Sequence, residues 1–197
     1  MNETHYSCIA DALVERGYIV INDALCIQMI DKLLEFSKNE IHYKNAKISS
    51  TQNSHLDSTK RSDKTQWLDE DDAIQSEYLM FMEGLRKYLN RTLYLGLTYY
   101  EAHFSIYNKG DFYEKHLDAF VGEKNRVVTT LLYLNEEWEQ RDGGELIIYD
   151  INGGEVKKVI PKGNTMVIFL SDKFPHEVLT TNKKRHSIAG WFRVDKR

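Results

Sequence analysis

Cysteine and proline are both scarce, with two of each among 197 residues. Cys8 and Cys26 are too few for a disulfide scaffold or a thiolate-rich metal site. They read instead as small buried hydrophobes. No apolar run approaches the roughly 20 residues that a membrane span needs. Cations do not dominate either: 26 Lys and Arg against 30 Asp and Glu leave a net charge of −4. A chain that holds phosphate backbones needs a basic face, so a nucleic-acid partner is not expected. The opening Met1 to His5 lacks the basic and apolar regions of a secretory leader, and the expectation is a soluble, cytoplasmic protein. What is present is a 42% hydrophobic share, enough for a sizeable core, and seven histidines. Any metal site would therefore use imidazole and carboxylate.

The N-terminal third reads as helical. Cys8, Ile9, Ala12 and Leu13 fit a short amphipathic helix ended by Gly17, and Tyr18 to Ile21 is a short β-type run. Asn22-Asp23 offers an N-cap for a second helix carrying Leu25, Met29, Ile30, Leu33, Leu34 and Ile41. Residues 42 to 64 are rich in Ser, Thr, Asn, Lys and Asp, and a polar stretch this long is functional or disordered. Trp67-Leu68 ends it. Ile74 to Leu89 then returns to helical spacing through Tyr78, Phe81, Met82 and Leu85.

From about Leu93 the pattern turns to β. Runs at 99–107, 126–134, 145–149, 156–160, 165–170, 177–181 and 187–194 follow closely, punctuated by Gly143-Gly144 and Asn152-Gly153-Gly154. About eight strands without intervening helices predict an antiparallel sandwich or barrel, with the N-terminal helices against one outer face. Residues 1–92 thus form a helical buttress with a polar loop, and residues 93–197 a β core, within one domain.

His116-Leu117-Asp118 lies between two β-type runs. Residues i and i+2 of a strand share a face, so an imidazole and a carboxylate so spaced can share an ion. The tripeptide alone is weak: His55-Leu56-Asp57 repeats it, inside the polar stretch and without a strand around it. Context separates them, because His116 and His176 bracket a run of strands that can bring them together. His176 follows Phe174-Pro175, and Arg185 opens the last strand across a Lys-rich turn. Two histidines and one carboxylate on one face leave other coordination positions open, the arrangement of non-haem Fe(II) oxygenases. Zinc suits the set less well, because a buried Arg185 needs an anion, and a dicarboxylate bridging metal and guanidinium supplies one. Taken singly, each residue could be an ordinary core histidine or salt-bridge partner. The ordered set favours the metal site.

At these residues the chain resembles the 2-oxoglutarate- and Fe(II)-dependent prolyl 4-hydroxylases. It is most similar to the oxygen-sensing prolyl hydroxylase-domain branch and its bacterial relatives. The resemblance runs through Gly17 to Asp23, Arg61 to Trp67, Tyr107 to Asp118, Tyr133 to Asn135, Gly143-Gly144, Ser171-Asp172, Pro175 to Val178 and Arg185 to Trp191, nearly the whole chain. The Arg61 to Trp67 and Pro175 to Val178 stretches are its most specific parts. It implies a single dioxygenase domain over residues 1–197: a mainly β, distorted double-stranded β-helix (jelly-roll or cupin-like) with packing helices. It assigns His116, Asp118 and His176 to Fe(II), and Arg185 and Tyr133 to the far carboxylate of 2-oxoglutarate. Tyr107 goes to the metal-chelating end. O2 is the second co-substrate and ascorbate a supporting cofactor.

The same resemblance makes the polar stretch a loop closing over a peptide substrate, with Arg61 and Asp63 as its charged pair; a solvated surface loop is the plainer reading. Trp67 anchors the loop end. Two departures stand out. Tyr107-Asn108-Lys109-Gly110 replaces the family's Tyr-Pro-Gly, and Ala189 stands where animal members carry a hydroxyl. Trp191 is core or pocket wall, and His5, His42, His103 and His186 show no partner pattern. The leading function is hydroxylation of a prolyl residue in another protein, with elongation factor Tu a candidate implied by the bacterial branch. Succinate and CO2 would be released. The alternatives are the same chemistry on a small molecule or another residue, or a non-catalytic sensor of metal and 2-oxoglutarate.

Overall fold

A computed structural model of the chain describes residues 3–46, 48–49, 54–55, 59–119 and 125–195. Three helices, α1 (Glu3–Glu15), α2 (Ile27–Ser37) and α3 (Ala73–Leu93), belong to the first half of the chain. Five strands are interspersed with them: β1 (Tyr18–Ile21), β2 (Lys44–Asn45), β3 (Ile48–Ser49), β4 (Ser54–His55) and β5 (Lys64–Trp67). Eight more follow α3: β6 (Tyr99–Tyr107), β7 (Tyr113–His116), β8 (Arg126–Tyr133), β9 (Leu146–Tyr149), β10 (Glu155–Val159), β11 (Met166–Leu170), β12 (His176–Val178) and β13 (Arg185–Arg193). Every strand pair is antiparallel.

The strands make a seven-stranded sheet, β1-β11-β8-β13-β6-β5-β2, and a four-stranded sheet, β10-β9-β12-β7; β3 and β4 pair with each other. Alternation along each strand of the large sheet sends side chains to two different fates. Phe104, Val128, Leu132, Ile168, Ile188 and Phe192 pack against the helices. There they meet stripes at helical spacing: Ile9 and Leu13 of α1, Met29, Ile30 and Leu33 of α2, and Tyr78, Met82, Leu85 and Leu89 of α3. The opposite face looks toward the small sheet, and Tyr133, Leu146, Ile148, Val167, Phe169 and Val178 form a second apolar cluster between the two. That second face also carries the polar residues of the site. The architecture is the mainly β, helix-buttressed jelly roll expected from the sequence.

Several expectations need correction. Asn22-Asp23 does not cap α2: Asp23 has a left-handed backbone, φ 52°, and the helix begins after Cys26. The Asn164 side chain explains the delay, since it bonds both backbone groups of Leu25 at 2.9 Å and holds the segment as a turn. Ile41 lies beyond α2 in a short 3₁₀ turn and is exposed rather than buried. Cys8 and Cys26 are exposed thiols, not core residues. The polar stretch is more ordered at its ends than its composition suggests. Lys44–Asn45 and Lys64–Trp67 extend the large sheet beyond β6, where backbone pairing substitutes for apolar content. Phe120 and Val121 lie outside the described residues.

Candidate active site

A cleft of about 540 Å³ opens between the two sheets. Its chemistry begins where β7 and β12 pair. His176 is the direct cross-strand partner of His116, and the ring centroids are 4.3 Å apart. Asp118 joins them from just past the end of β7, so the strand rule holds for His116 only and the bend after Leu117 brings in the carboxylate. The His116 Nε2 lies 3.7 Å from Asp118 Oδ1, and the His176 Nε2 lies 3.6 Å from Asp118 Oδ2. Ligand atoms of all three residues fall within 4.8 Å of one another. Among the described residues this is the one such group of His, Cys, Asp and Glu. His55 sits in β4, while Leu56 and Asp57 lie outside the described residues.

Both rings are oriented by their own backbone. His116 Nδ1 donates to the Glu114 carbonyl at 2.7 Å and His176 Nδ1 to the Phe174 carbonyl at 3.0 Å. The neutral tautomer then carries its proton on Nδ1, and the Nε2 lone pair faces Asp118. Tyr113 stacks on His116 at 3.6 Å, and Phe169 meets His176 edge-on at 4.8 Å. Burial, reinforced by the neighbouring His176, lowers the His116 pKa to about 3. Burial alone would raise Asp118, but His176, His116 and Arg126 outweigh it and hold the carboxyl well below its usual range. A neutral imidazole beside an ionised carboxylate is the protonation state that a divalent cation requires.

The other end of the cleft is built for an anion. Arg185 is 1% exposed, yet it makes no ion pair with any described carboxylate. Among the described residues its guanidinium has one hydrogen bond, from Nη1 to Ser187 Oγ at 3.2 Å, and Nε has no partner. The Tyr107 and Tyr133 rings flank the guanidinium at 4.8 and 5.0 Å. Strand register puts them there: Tyr107 is the cross-strand partner of Arg185, and Tyr133 that of Ser187. The Tyr133 hydroxyl is buried with no hydrogen-bond partner among the described residues, and burial, opposed by Arg185, pushes its pKa up to about 12, so it stays protonated and can donate. Gly144 makes room for the arginine; a Cβ there would stand 3.1 Å from Arg185 Cδ. A buried cation with no counter-ion is costly, and an anion accepting from Arg185 and Tyr133 removes that cost.

Arg61 lines the same cleft, with the buried Asp63 behind it. Arg61 donates to both Asp63 oxygens, from Nε at 2.5 Å and Nη2 at 2.9 Å, and lies over the Tyr113 ring at 4.5 Å. Burial opposes the Arg61 charge, but Asp63 overcomes it and raises the guanidinium pKa further. Asp63 is 1% exposed and accepts from Arg61, so Arg61 is the member of the pair that faces the cleft. Trp67 is half exposed at the rim and packs edge-on against His103, which in turn lies 5.4 Å from the Trp191 ring. Trp191 is pocket wall, with the Arg126 guanidinium 3.8 Å above its ring. Ala189 and His103 also line the cleft.

Sequence reasoning missed Thr129 and Ser171. Thr129 Oγ1 donates to Asp118 Oδ2 at 2.8 Å and lies 2.9 Å from Ser171 Oγ. Threonine in a Val- and Leu-rich strand is an ordinary β-former, so nothing in the local pattern marked it.

The family model described as the 2OG-Fe(II) oxygenase superfamily matches residues 102–193. A crystal structure of a Pseudomonas putida prolyl-4-hydroxylase is 33% identical with a TM-score of 0.88, and the match covers 97% of this chain and 100% of that one. A Trichoplax adhaerens prolyl hydroxylase in complex with a hypoxia inducible factor oxygen degradation domain peptide fragment is 25% identical. Its TM-score is 0.84, with coverage of 97% and 90%. The Caenorhabditis elegans hypoxia-inducible factor prolyl hydroxylase is 35% identical over 94 residues, 46% of this chain but 13% of that protein's length. The chain belongs to the 2OG-Fe(II) oxygenase superfamily. It is an oxygenase of the type that uses Fe(II), 2-oxoglutarate and O2. The residues fit that set: a neutral-imidazole and carboxylate cluster for the metal, and an uncompensated buried guanidinium for a dicarboxylate. No described helix is long and apolar enough to cross a membrane.

Proposed function

We propose that the chain hydroxylates a prolyl residue of a protein or peptide, with 2-oxoglutarate and O2 as co-substrates. The observation that carries the reading is the buried, unpaired Arg185 in the same cleft as the His116, Asp118 and His176 cluster. His116, Asp118 and His176 would hold Fe(II), with ascorbate supporting its reduced state. Arg185 and Tyr133 would fix the distal carboxylate of 2-oxoglutarate by charge-assisted hydrogen bonds, and Tyr107, whose ring flanks Arg185, would serve the metal-chelating end. Bound Fe(II) supplies the redox chemistry that divides O2 between the co-substrate, which leaves as succinate and CO2, and a C–H bond of the substrate, which becomes C–OH. The chain's own residues orient and shield. The two ring Nδ1–H bonds fix the imidazoles, Arg185 sets the co-substrate's direction, and the apolar cluster around Phe169 and Val178 excludes water. Arg61, held by Asp63 at the wall, is the proposed substrate contact.

The full-length likeness to a bacterial prolyl-4-hydroxylase supports proline as the target residue, and the peptide complex of the Trichoplax enzyme supports a peptide ligand. Elongation factor Tu is our candidate protein. A cytoplasmic setting suits two exposed, unpaired thiols. The test is succinate formation from 2-oxoglutarate under O2 with added Fe(II), against a His116→Ala control, followed by mass spectrometry for a proline gaining roughly 16 Da, one oxygen atom. No turnover above the control removes the oxygenase activity. Turnover with no modified proline in lysate protein or elongation factor Tu transfers the chemistry to another substrate.

A further inference from the structure

The hydroxyls behind Asp118 can donate in one direction only. In the 2.8 Å contact the Thr129 Oγ1 hydroxyl donates its proton to Asp118 Oδ2. A hydroxyl has one proton. Having given it to Asp118, Thr129 must accept in its 2.9 Å contact, and Ser171 Oγ must donate. The order Ser171 to Thr129 to Asp118 Oδ2 is therefore fixed by proton counting. All three residues are buried: Asp118 is 5% exposed, Thr129 1% and Ser171 0%. Three separate elements contribute them: the bend after β7, strand β8, and the turn after β11. The Ser171 backbone is pinned as well, its N–H donating to the Val127 carbonyl at 3.0 Å.

Asp118 lies outside the β7 ladder. Besides Thr129, its carboxylate faces His116 Nε2, 3.7 Å from Oδ1, His176 Nε2, 3.6 Å from Oδ2, the Trp191 indole, and Arg126, 4.0 Å from Oδ1 and also engaged with Glu101 and the Trp191 ring. A carboxylate on a bend, free to rotate, would be a poorly placed ligand. A hydroxyl donating to Oδ2 restrains that rotation and leaves Oδ1 the less encumbered oxygen, while Oδ2 still lies 3.6 Å from His176 Nε2. We infer that Thr129 is a positioning residue for the metal site, with Ser171 setting the direction of its proton, and that the pair keeps Asp118 a one-oxygen ligand. This rests on the metal site proposed above. Outer-shell partners of this kind change metal affinity by roughly 10- to 100-fold when removed.

The experiment measures metal binding alone, without turnover: Mn(II) titrated into the metal-free full chain, with free ion read by electron paramagnetic resonance. Thr129→Val keeps the shape and removes the donor, and should weaken Mn(II) binding by roughly 10- to 100-fold. Ser171→Ala should weaken it by a smaller factor, and Thr129→Ser should restore it to near the wild-type value. A purely structural role for Thr129 predicts a lower thermal midpoint for both Val and Ser variants and no such rescue. The visible spectrum of bound Co(II) should change in Thr129→Val, where both carboxylate oxygens become available, and not in Thr129→Ser. If Thr129→Val does not fold, Ser171→Ala decides by the same titration. Wild-type affinity in the folded variants overturns the relay, while failure of the wild-type chain to bind Mn(II) or Co(II) overturns the metal site itself.

Discussion

Arg185 shows how a single buried charge states a chemical requirement. Its guanidinium lies among Tyr107, Tyr133 and Ser187, with Nε unpartnered. Arg185→Ala should raise the 2-oxoglutarate concentration needed for half-maximal succinate formation by roughly 10- to 100-fold, the loss expected for hydrogen bonds to a charged group. Mn(II) affinity should stay near wild type, and an equal loss of both would remove the arginine from the co-substrate end. The Arg61–Asp63 pair makes a different prediction. Asp63→Ala strands a mostly buried guanidinium, so unfolding free energy in urea should fall by about 3–5 kcal/mol. At this scale the sequence was legible where chemistry dictates residue type: His116, Asp118, His176, Arg185 and Tyr107 line one cleft, and Tyr133 flanks the arginine. The residues that support them were not legible. Thr129 and His103 look like any strand residue, and Ser171 like any turn residue, until the fold shows what they face.

At the scale of elements, β13 carries the most consequence. Alternation sends Arg185, Ser187, Ala189 and Trp191 into the cleft and Ile188 and Phe192 toward the helices. Gly190 belongs to the helix side, where a Cβ would collide with the Tyr100 hydroxyl and stand 2.9 Å from Ala102 Cβ. Tyr100 cannot easily yield, because its hydroxyl is held by Tyr78 at 3.2 Å and Thr130 at 2.8 Å. Gly190→Ala should therefore cost roughly 1–3 kcal/mol by overpacking, visible as a lower thermal midpoint. Seven of the eight β strands after residue 93 were readable from period and turn residues; β7 was not, because Tyr113–His116 carries no apolar face. The start of α2 and the strand β5 were not. The first is decided by Asn164, 139 positions away from Leu25, and the second by backbone pairing with β6 that leaves no apolar signature.

For the whole molecule, two histidines outside the metal cluster govern the acid side of stability. Burial, with Arg61 adding to it, lowers His103 to about 4, and burial, with Lys184 adding to it, lowers His186 to about 4, against 6.5 for a free imidazole. The unfolded chain therefore takes up these protons first as pH falls. The stability they contribute is complete above about pH 6.5 and is lost progressively toward pH 4. Urea midpoints at a series of pH values should fall through this window, and His186→Asn should flatten the slope. Its neutral amide can still meet Ser37 Oγ, which lies 2.9 Å from His186 Nδ1.

The pairing of β7 with β12 has one more consequence. These strands are four and three residues long, with a register shift between them, yet they carry ligands 60 positions apart. An ion bound by His116 and His176 would act as a removable cross-link, closing a long loop much as a disulfide does, in a chain whose two thiols are unpaired. The enclosed segment, from β8 to the turn before β12, would then depend on metal supply for its resistance to proteolysis. Chelation should speed cleavage within residues 117–175 more than in α1 to α3, and added Mn(II) should reverse the difference.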